Sequence, residues 1–127
     1  MKAMRKSVKV GIMPRKDYQQ YLVDVARGKR VLKPDSPQVW FSSYDSMFQV
    51  LNSRNIELLG MIQSLQPDSI TQLAEISGRK LSNLSRTLKN FENAGLLTWE
   101  KKDHGRGKKP VVIAKSLDIS ISFAEAV

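Results

Sequence analysis

Hydrophobic and polar positions change their spacing several times along this chain, and each spacing predicts an element. Val8, Val10 and Ile12 alternate with polar or small residues, which predicts a strand with one buried face. A helix is expected from Pro14 onward, because proline favours the first turn of a helix. The apolar and aromatic run 39–41 then predicts a second, short strand.

Three helices are predicted over the middle of the chain. Ser42 begins a pattern similar to a capping box, which indicates a short helix from that residue. Ser53 is expected to cap the next helix, which runs to about Leu65. A helix of barely two turns follows, and either Ser69 or Thr71 is expected to cap it.

The clearest helical stripe follows Gly78. Its apolar residues recur at i, i+3, i+7 and i+10, and they are Leu81, Leu84, Leu88 and Phe91. This spacing places all four on one face of a helix, where we expect them to be buried. Gly95 stands where a left-handed residue would end that helix.

The spacing returns to two after Gly95. Residues 97–101 alternate, residues 111–113 are apolar, and the basic, glycine-containing run 103–109 lies between them, which predicts a β-hairpin. Residues 117–123 alternate strictly and predict a final strand. This strand and the first one are expected to pair either with each other or across two subunits.

The order helix, short helix, tight turn, helix and basic hairpin is that of a winged helix-turn-helix. The predicted fold is therefore α+β: a winged helix-turn-helix over residues 43–116, an N-terminal strand-helix extension over 1–42 and a C-terminal strand over 117–127. DNA-binding regulators of this type usually act as dimers, because the half-sites in DNA repeat every helical turn. We expect a homodimer whose interface uses residues 7–25 and 117–123 of the two end segments.

Charge is distributed unevenly along the chain. The 127 residues include 21 Lys and Arg and 12 Asp and Glu, a net charge of +9. Residues 79–109 hold nine basic and three acidic side chains, whereas residues 34–78 hold one basic and five acidic. A basic segment beside an acidic one indicates a surface for a polyanion. The cations within residues 1–9 are either an additional DNA-binding arm or a solubilising end.

Thirteen polar or cationic residues in and around the last helix and the hairpin are candidate DNA contacts. They are Arg79, Lys80, Ser82, Asn83, Ser85, Arg86, Lys89, Lys101, Lys102, His104, Arg106, Lys108 and Lys109. Asn83 and Arg86 suit adenine and guanine edges in the major groove, and the serines and lysines suit phosphates. Arg106, near the tip of the hairpin, suits an adjacent minor groove. His104 is either a turn residue or a contact.

The residue inventory does not predict an enzyme. The chain has no cysteine and one histidine, so disulfides and a metal site are not expected, and no cofactor is predicted. No paired acid and base and no phosphate-binding loop is found. No apolar run is long enough for a membrane span or for the core of a signal peptide, so we expect a cytoplasmic protein.

The segments 69–78 and 81–97 resemble the helix-turn-helix of MarR-like and ArsR-like winged-helix regulators, within a similarity that extends over about residues 53–113. The wider arrangement is similar to a family of small prokaryotic DNA-binding regulators, some of them encoded beside toxin-like genes. Lys80 stands where that family tends to have a capping Asp or Ser. Either Ser82 caps the helix later, or a bound phosphate supplies the acceptor that lysine lacks.

The resemblance implies a prokaryotic regulator of transcription, and we expect a sequence-specific repressor that binds double-stranded DNA as a homodimer. An alternative is an antitoxin that neutralises a partner toxin through its N-terminal half and regulates its own operon. Deletion of residues 1–42 would then abolish neutralisation and spare the winged helix. A third possibility is a winged helix that binds RNA or docks another protein, since fold alone does not fix function.

Overall fold

A computed structural model describes residues 5–33, 35–102 and 107–123. Within these residues the chain is an α+β protein of five strands and five helices, which confirms the predicted class. The elements in chain order are β1 (Arg5–Ile12), α1 (Arg15–Ala26), β2 (Val39–Phe41), α2 (Tyr44–Val50), α3 (Ser53–Leu65), α4 (Ile70–Ser77), α5 (Leu81–Ala94), β3 (Leu97–Lys101), β4 (Lys108–Val112) and β5 (Ala114–Ile119). No helix of these ranges is long and apolar enough to cross a bilayer.

The strands form a parallel sheet in the order β2-β1-β5 and a separate antiparallel hairpin of β3 and β4. In the parallel sheet Val10 lies opposite Val39, and Val8 lies opposite Leu117. The two alternating strands at the ends of the chain therefore pair with each other inside one chain. Because β1 is central, both of its edges are already hydrogen-bonded, and β5 forms an outer edge.

The final strand differs from the expected range of 117–123. It begins at Ala114 and ends at Ile119, so the alternation of residues 120–123 is not used for pairing. Beyond the strand, the backbone of Ser122 contacts α2 instead. The hydroxyl of Tyr44 accepts a hydrogen bond from the backbone N–H of Ser122 (3.1 Å) and donates one to its carbonyl (3.5 Å).

Helix α1 crosses between the parallel strands β1 and β2 and packs through aromatic rings. Tyr18 and Tyr21 lie against Trp40, with ring centroids 5.7 and 5.5 Å apart. Trp40 lies opposite Gly11 in the sheet, and a Cβ on Gly11 would overlap its indole. The glycine therefore leaves the space that the tryptophan fills.

One core joins all three predicted segments. Val8 and Val39 from residues 1–42 are buried together with Leu58 and Leu88, and Leu117 packs against the same cluster. The boundaries at 42 and 116 stay a prediction. Deletion of residues 1–42 would nevertheless remove β1 and β2 from this core, so the deletion is not expected to spare the rest of the fold.

The apolar stripe of α5 is buried at three of its four predicted positions. Leu84, Leu88 and Phe91 are at most 1% exposed, but Leu81 is 49% exposed, so its predicted burial is wrong. Leu81 is the first residue of α5 and therefore lies one turn beyond the packed part of the helix. Leu65, in the last position of α3, is exposed for the same reason.

Polar side chains cap three of the helices, at positions close to those expected. Ser43 caps α2 by accepting from the N–H of Ser46 (3.0 Å), so the prediction of Ser42 is wrong by one residue. Asn52 caps α3 in place of Ser53, and Ser69 caps α4 as one of the two alternatives stated. In each case the extended backbone of the capping residue directs its oxygen at the open N–H groups.

Alanine substitutions in α5 should separate the buried residues from Leu81. Leu84→Ala should lower the free energy of unfolding by about 2–5 kcal/mol, because it leaves a cavity in the core. Leu81→Ala should lower it by less than about 1 kcal/mol, because the side chain is half in water. Urea denaturation followed by circular dichroism measures both, and equal losses would contradict the observed burial.

Candidate nucleic-acid interface

A tight turn connects α4 to α5. Gly78 ends α4 with φ of +72°, and its N–H bonds to the carbonyl of Ala74 at 3.0 Å. This left-handed conformation costs little only for glycine. The chain then passes through two residues, Arg79 and Lys80, before α5 begins. The tight turn predicted at Gly78 is thus present.

The face of α5 opposite its buried stripe is polar and exposed. Five of the candidate contact residues lie on it: Ser82, Asn83, Ser85, Arg86 and Lys89. Lys89 is 3.4 Å from the carboxylate of Glu92, whereas Arg86 makes no ion pair with any residue in the described ranges. Thr87 lies on the buried side and donates its hydroxyl proton to the carbonyl of Asn83 at 3.1 Å. The exposed face of α5 therefore carries one lysine paired with Glu92 and one arginine, Arg86, without an ion pair in the described ranges.

The N-terminus of α5 lacks a side-chain cap. Lys80 occupies the N-cap position and makes no capping hydrogen bond, because an ammonium group has no acceptor. The helix begins at Leu81, so the alternative of a later start capped by Ser82 is wrong. The first N–H groups of α5 therefore receive no acceptor from the residue that normally supplies one.

Arg79 is directed toward α3. Its guanidinium donates to the carbonyl of Arg54 at 2.8 Å and to the side-chain oxygen of Asn55 at 3.2 Å. The pKa of Arg79 lies below its ordinary value, chiefly because of burial and then because of the nearby positive charge of Arg54, while Glu57 acts in the opposite direction. Arg79 therefore connects the α4–α5 turn to the first turn of α3, and its contact with DNA stays a prediction.

The hairpin brings two lysines together next to its connecting loop. Lys101 and Lys108 lie directly opposite each other, and both are exposed. The next pair, Glu100 and Lys109, forms an ion pair of 3.9 Å. Like charges at directly opposed positions destabilise a strand pair. The Lys101–Lys108 pair is therefore an arrangement that a bound anion would relieve.

The remaining candidates are distributed around these elements. Lys102 is half-buried beyond the end of β3. His104 and Arg106 lie outside the described residues, and their predicted contacts stay predictions. Lys80 and Asn83 share a cleft with Arg79, whereas Ser82, Ser85, Arg86 and Lys89 line the exposed side of α5.

Arg54 is a cation near this surface that the sequence analysis did not select. It lies in the first turn of α3 and, with Arg79, Lys80 and Asn83, lines the same cleft. Two signals in the sequence could have identified it. It is the one basic residue within 34–78, and a cation in the first turn of a helix is opposed by the helix dipole.

A comparison with known protein families gives a match over the second half of the chain. The model of the HVO_A0114 family matches residues 50–119, which is more than half of the chain. The match covers α3, α4, α5, the hairpin and β5, and so includes every candidate contact residue. No curated protein matches the chain.

The opposed lysines of the hairpin give a stability test that needs no ligand. Lys108→Thr removes a like-charge pair and should raise the free energy of unfolding by about 0.2–1 kcal/mol. The matched variant Lys109→Thr removes the ion pair with Glu100 and should lower it or leave it unchanged. Urea denaturation at low salt compares the two. Since both variants add the same residue to β4, a Lys109→Thr variant as stable as Lys108→Thr would contradict this account.

Proposed function

We propose that this chain, which belongs to the HVO_A0114 family, binds double-stranded DNA through a winged helix-turn-helix and represses transcription as a homodimer. The observation that carries the proposal is the division of α5 into a buried apolar face and an exposed face of polar and cationic side chains. The order α3, α4, tight turn, α5 and hairpin supports the assignment of a winged helix, with α5 as the recognition helix.

The dimensions of α5 suit the major groove of DNA. Its 14 residues give a length of about 21 Å, and the groove, about 12 Å wide, admits one helix. On the exposed face Asn83 can bond to both polar groups of an adenine edge, and Arg86 can do so to a guanine. Ser82, Ser85 and Lys89 can bond to phosphates on either side, which fixes the position of the helix without reading sequence.

The hairpin serves as the wing in this proposal. The exposed pair Lys101 and Lys108 would lie against the sugar-phosphate backbone, where phosphates neutralise their mutual repulsion. Arg106 would then enter the adjacent minor groove. Burial of Leu97 at the base of the hairpin supports a wing fixed to the core at one end and projecting at the other.

The strand pairing within one chain limits which surfaces we propose for the homodimer. Both edges of β1 are paired within the chain, so the part of the predicted interface over residues 7–25 can only use side chains and α1. On the other side Ile119 and Ile121, from the predicted segment 117–123, border an apolar groove with Phe48 and Ile56, and all four are 44–55% exposed. Clustered exposed apolar side chains favour a protein partner. We take a second copy of the chain as that partner, because it would bind the second half-site of the DNA.

The antitoxin and RNA-binding alternatives stay predictions. The antitoxin function would use the same DNA-binding surface and add a toxin bound to residues 1–42. Since β1 and β2 belong to the core, that alternative is better tested with substitutions on the exposed side of α1 than with the deletion.

Arg86→Ala tests the proposed recognition helix. Duplexes selected from a random pool are titrated at two salt concentrations and followed by fluorescence anisotropy. Wild-type binding should weaken steeply with salt, with a slope of about −0.9 per neutralised phosphate in a plot of log K against log salt. Arg86→Ala should cost about 1–3 kcal/mol on the selected sequence. Lys29→Ala, three residues beyond the end of α1, is the control and should bind like wild type. Absent or salt-insensitive binding of the wild type would count against the proposal.

Ile119→Lys tests the proposed dimer surface. Analytical ultracentrifugation at micromolar concentration should show a dimer for the wild type and a monomer for this variant, because a buried ammonium group without a partner is costly. Val31→Lys introduces the same lysine at an apolar residue that is 83% exposed, and this variant should remain a dimer. A monomeric wild type, or a dimer unaffected by Ile119→Lys, would exclude this interface.

A further inference from the structure

A cationic cleft lies between α3 and the α4–α5 turn. It has a volume of about 390 Å³ and opens to solvent. Arg54 and Glu57 contribute from α3, Arg79 and Lys80 from the turn, and Asn83 from α5. The cleft therefore joins the first turn of one helix to the first turn of the proposed recognition helix.

The charges in this cleft are not balanced. Three cations and one carboxylate line it, and Arg54, Arg79 and Lys80 make no ion pair within the described residues. Arg54 and Arg79 are close enough for the charge of one to lower the pKa of the other. Two adjacent guanidinium groups without a paired carboxylate form a site that an anion would stabilise.

Hydrogen bonds hold Arg79 on one side of the cleft. Its two hydrogen bonds to Arg54 and Asn55 use two of the five N–H donors of a guanidinium group. The remaining donors, and the whole guanidinium of exposed Arg54, are available for a ligand with several acceptor oxygens. Arginine suits a phosphate because its planar fork can donate two parallel hydrogen bonds.

The cleft is continuous with the surface proposed to read DNA. Asn83 lines the cleft and also belongs to the exposed polar face of α5 that carries Arg86. Arg86 follows Asn83 by three residues, so the two side chains lie on the same side of the helix. An anion bound in the cleft would therefore lie next to the proposed base contacts.

We propose that this cleft binds one backbone phosphodiester of the DNA duplex, with Arg54 as the principal contact and Arg79 as its fixed neighbour. The inference rests on the proposed function. It assigns to Arg54 a role in fixing the position of α5 along the duplex. The carboxylate of Glu57 would repel the same phosphate, so removal of its charge should strengthen DNA binding.

Two substitutions in α3 test this site with opposite expected signs. Arg54→Gln should weaken binding of the selected duplex about three- to tenfold and reduce the magnitude of the salt slope by about 0.9, the loss of one phosphate. Arg54→Lys keeps the charge and should retain the slope. Glu57→Gln should strengthen binding, and Lys29→Gln is the charge-matched control. Circular dichroism verifies that each variant is folded, as expected for exposed side chains.

The outcomes distinguish this inference from the proposed function. If the wild type binds no duplex, the proposed function fails. If the wild type binds and depends on Arg86, but Arg54→Gln leaves affinity and slope unchanged, the cleft does not hold a phosphate of DNA. Weaker binding with an unchanged slope would also overturn the inference. Titration of inorganic phosphate without DNA, followed by calorimetry, is a second arm: saturable binding lost in Arg54→Gln, together with an unchanged duplex slope, would assign the cleft to a free anion instead.

Discussion

Burial of one face of α5 is the constraint on which the arrangement of the site depends. Leu84, Leu88 and Phe91 are almost completely withdrawn from water, and α5 also contacts α2, α4, β2 and β3. Because a helix has 3.6 residues per turn, fixing these three side chains fixes the direction of every other side chain on the helix. The outward direction of Asn83, Arg86 and Lys89 therefore follows from apolar packing on the other side of the helix, and within the described residues only Lys89 adds an ion pair, with Glu92.

Three features around this helix are each locally unfavourable without an anion. Lys80 occupies an N-cap position without an acceptor, Arg54 puts a positive charge in the first turn of α3, and Lys101 lies opposite Lys108. Each conflicts with a local rule of helix or strand stability. The three features share one property, because each is an excess of positive charge or of hydrogen-bond donors. Departures from local rules concentrate at functional sites, and a polyanion would relieve all three together.

The spacing of apolar residues was sufficient to predict most helices and strands, but it did not predict where they end. The apolar stripe of α5 predicted the helix and its buried face, yet Leu81 has the same spacing and is exposed, because burial depends on where neighbouring elements stop. Likewise residues 120–123 alternate like a strand but lie beyond β5, where the backbone of Ser122 contacts the distant Tyr44. The sequence signals at Arg54 mark an unusual cation but not its partner, because its contact with Arg79 spans 25 residues and exists only once α3 packs beside the turn. Such contacts depend on tertiary structure that no local pattern contains.

The junction after α5 connects the proposed DNA-binding elements to the parallel sheet. Gly95 has φ of +87°, and a Cβ there would lie only 2.8 Å from the carbonyl oxygen of Gln38, just before β2. The next residue, Leu96, is buried, and its carbonyl accepts a hydrogen bond from the N–H of Ile113 at 3.1 Å. Ile113 lies between β4 and β5, so this one contact fixes the end of α5, the base of the hairpin and the start of the outer strand. If two copies associate along β5, this junction, which is formed by packing within each chain, contributes to the separation of their two α5 helices.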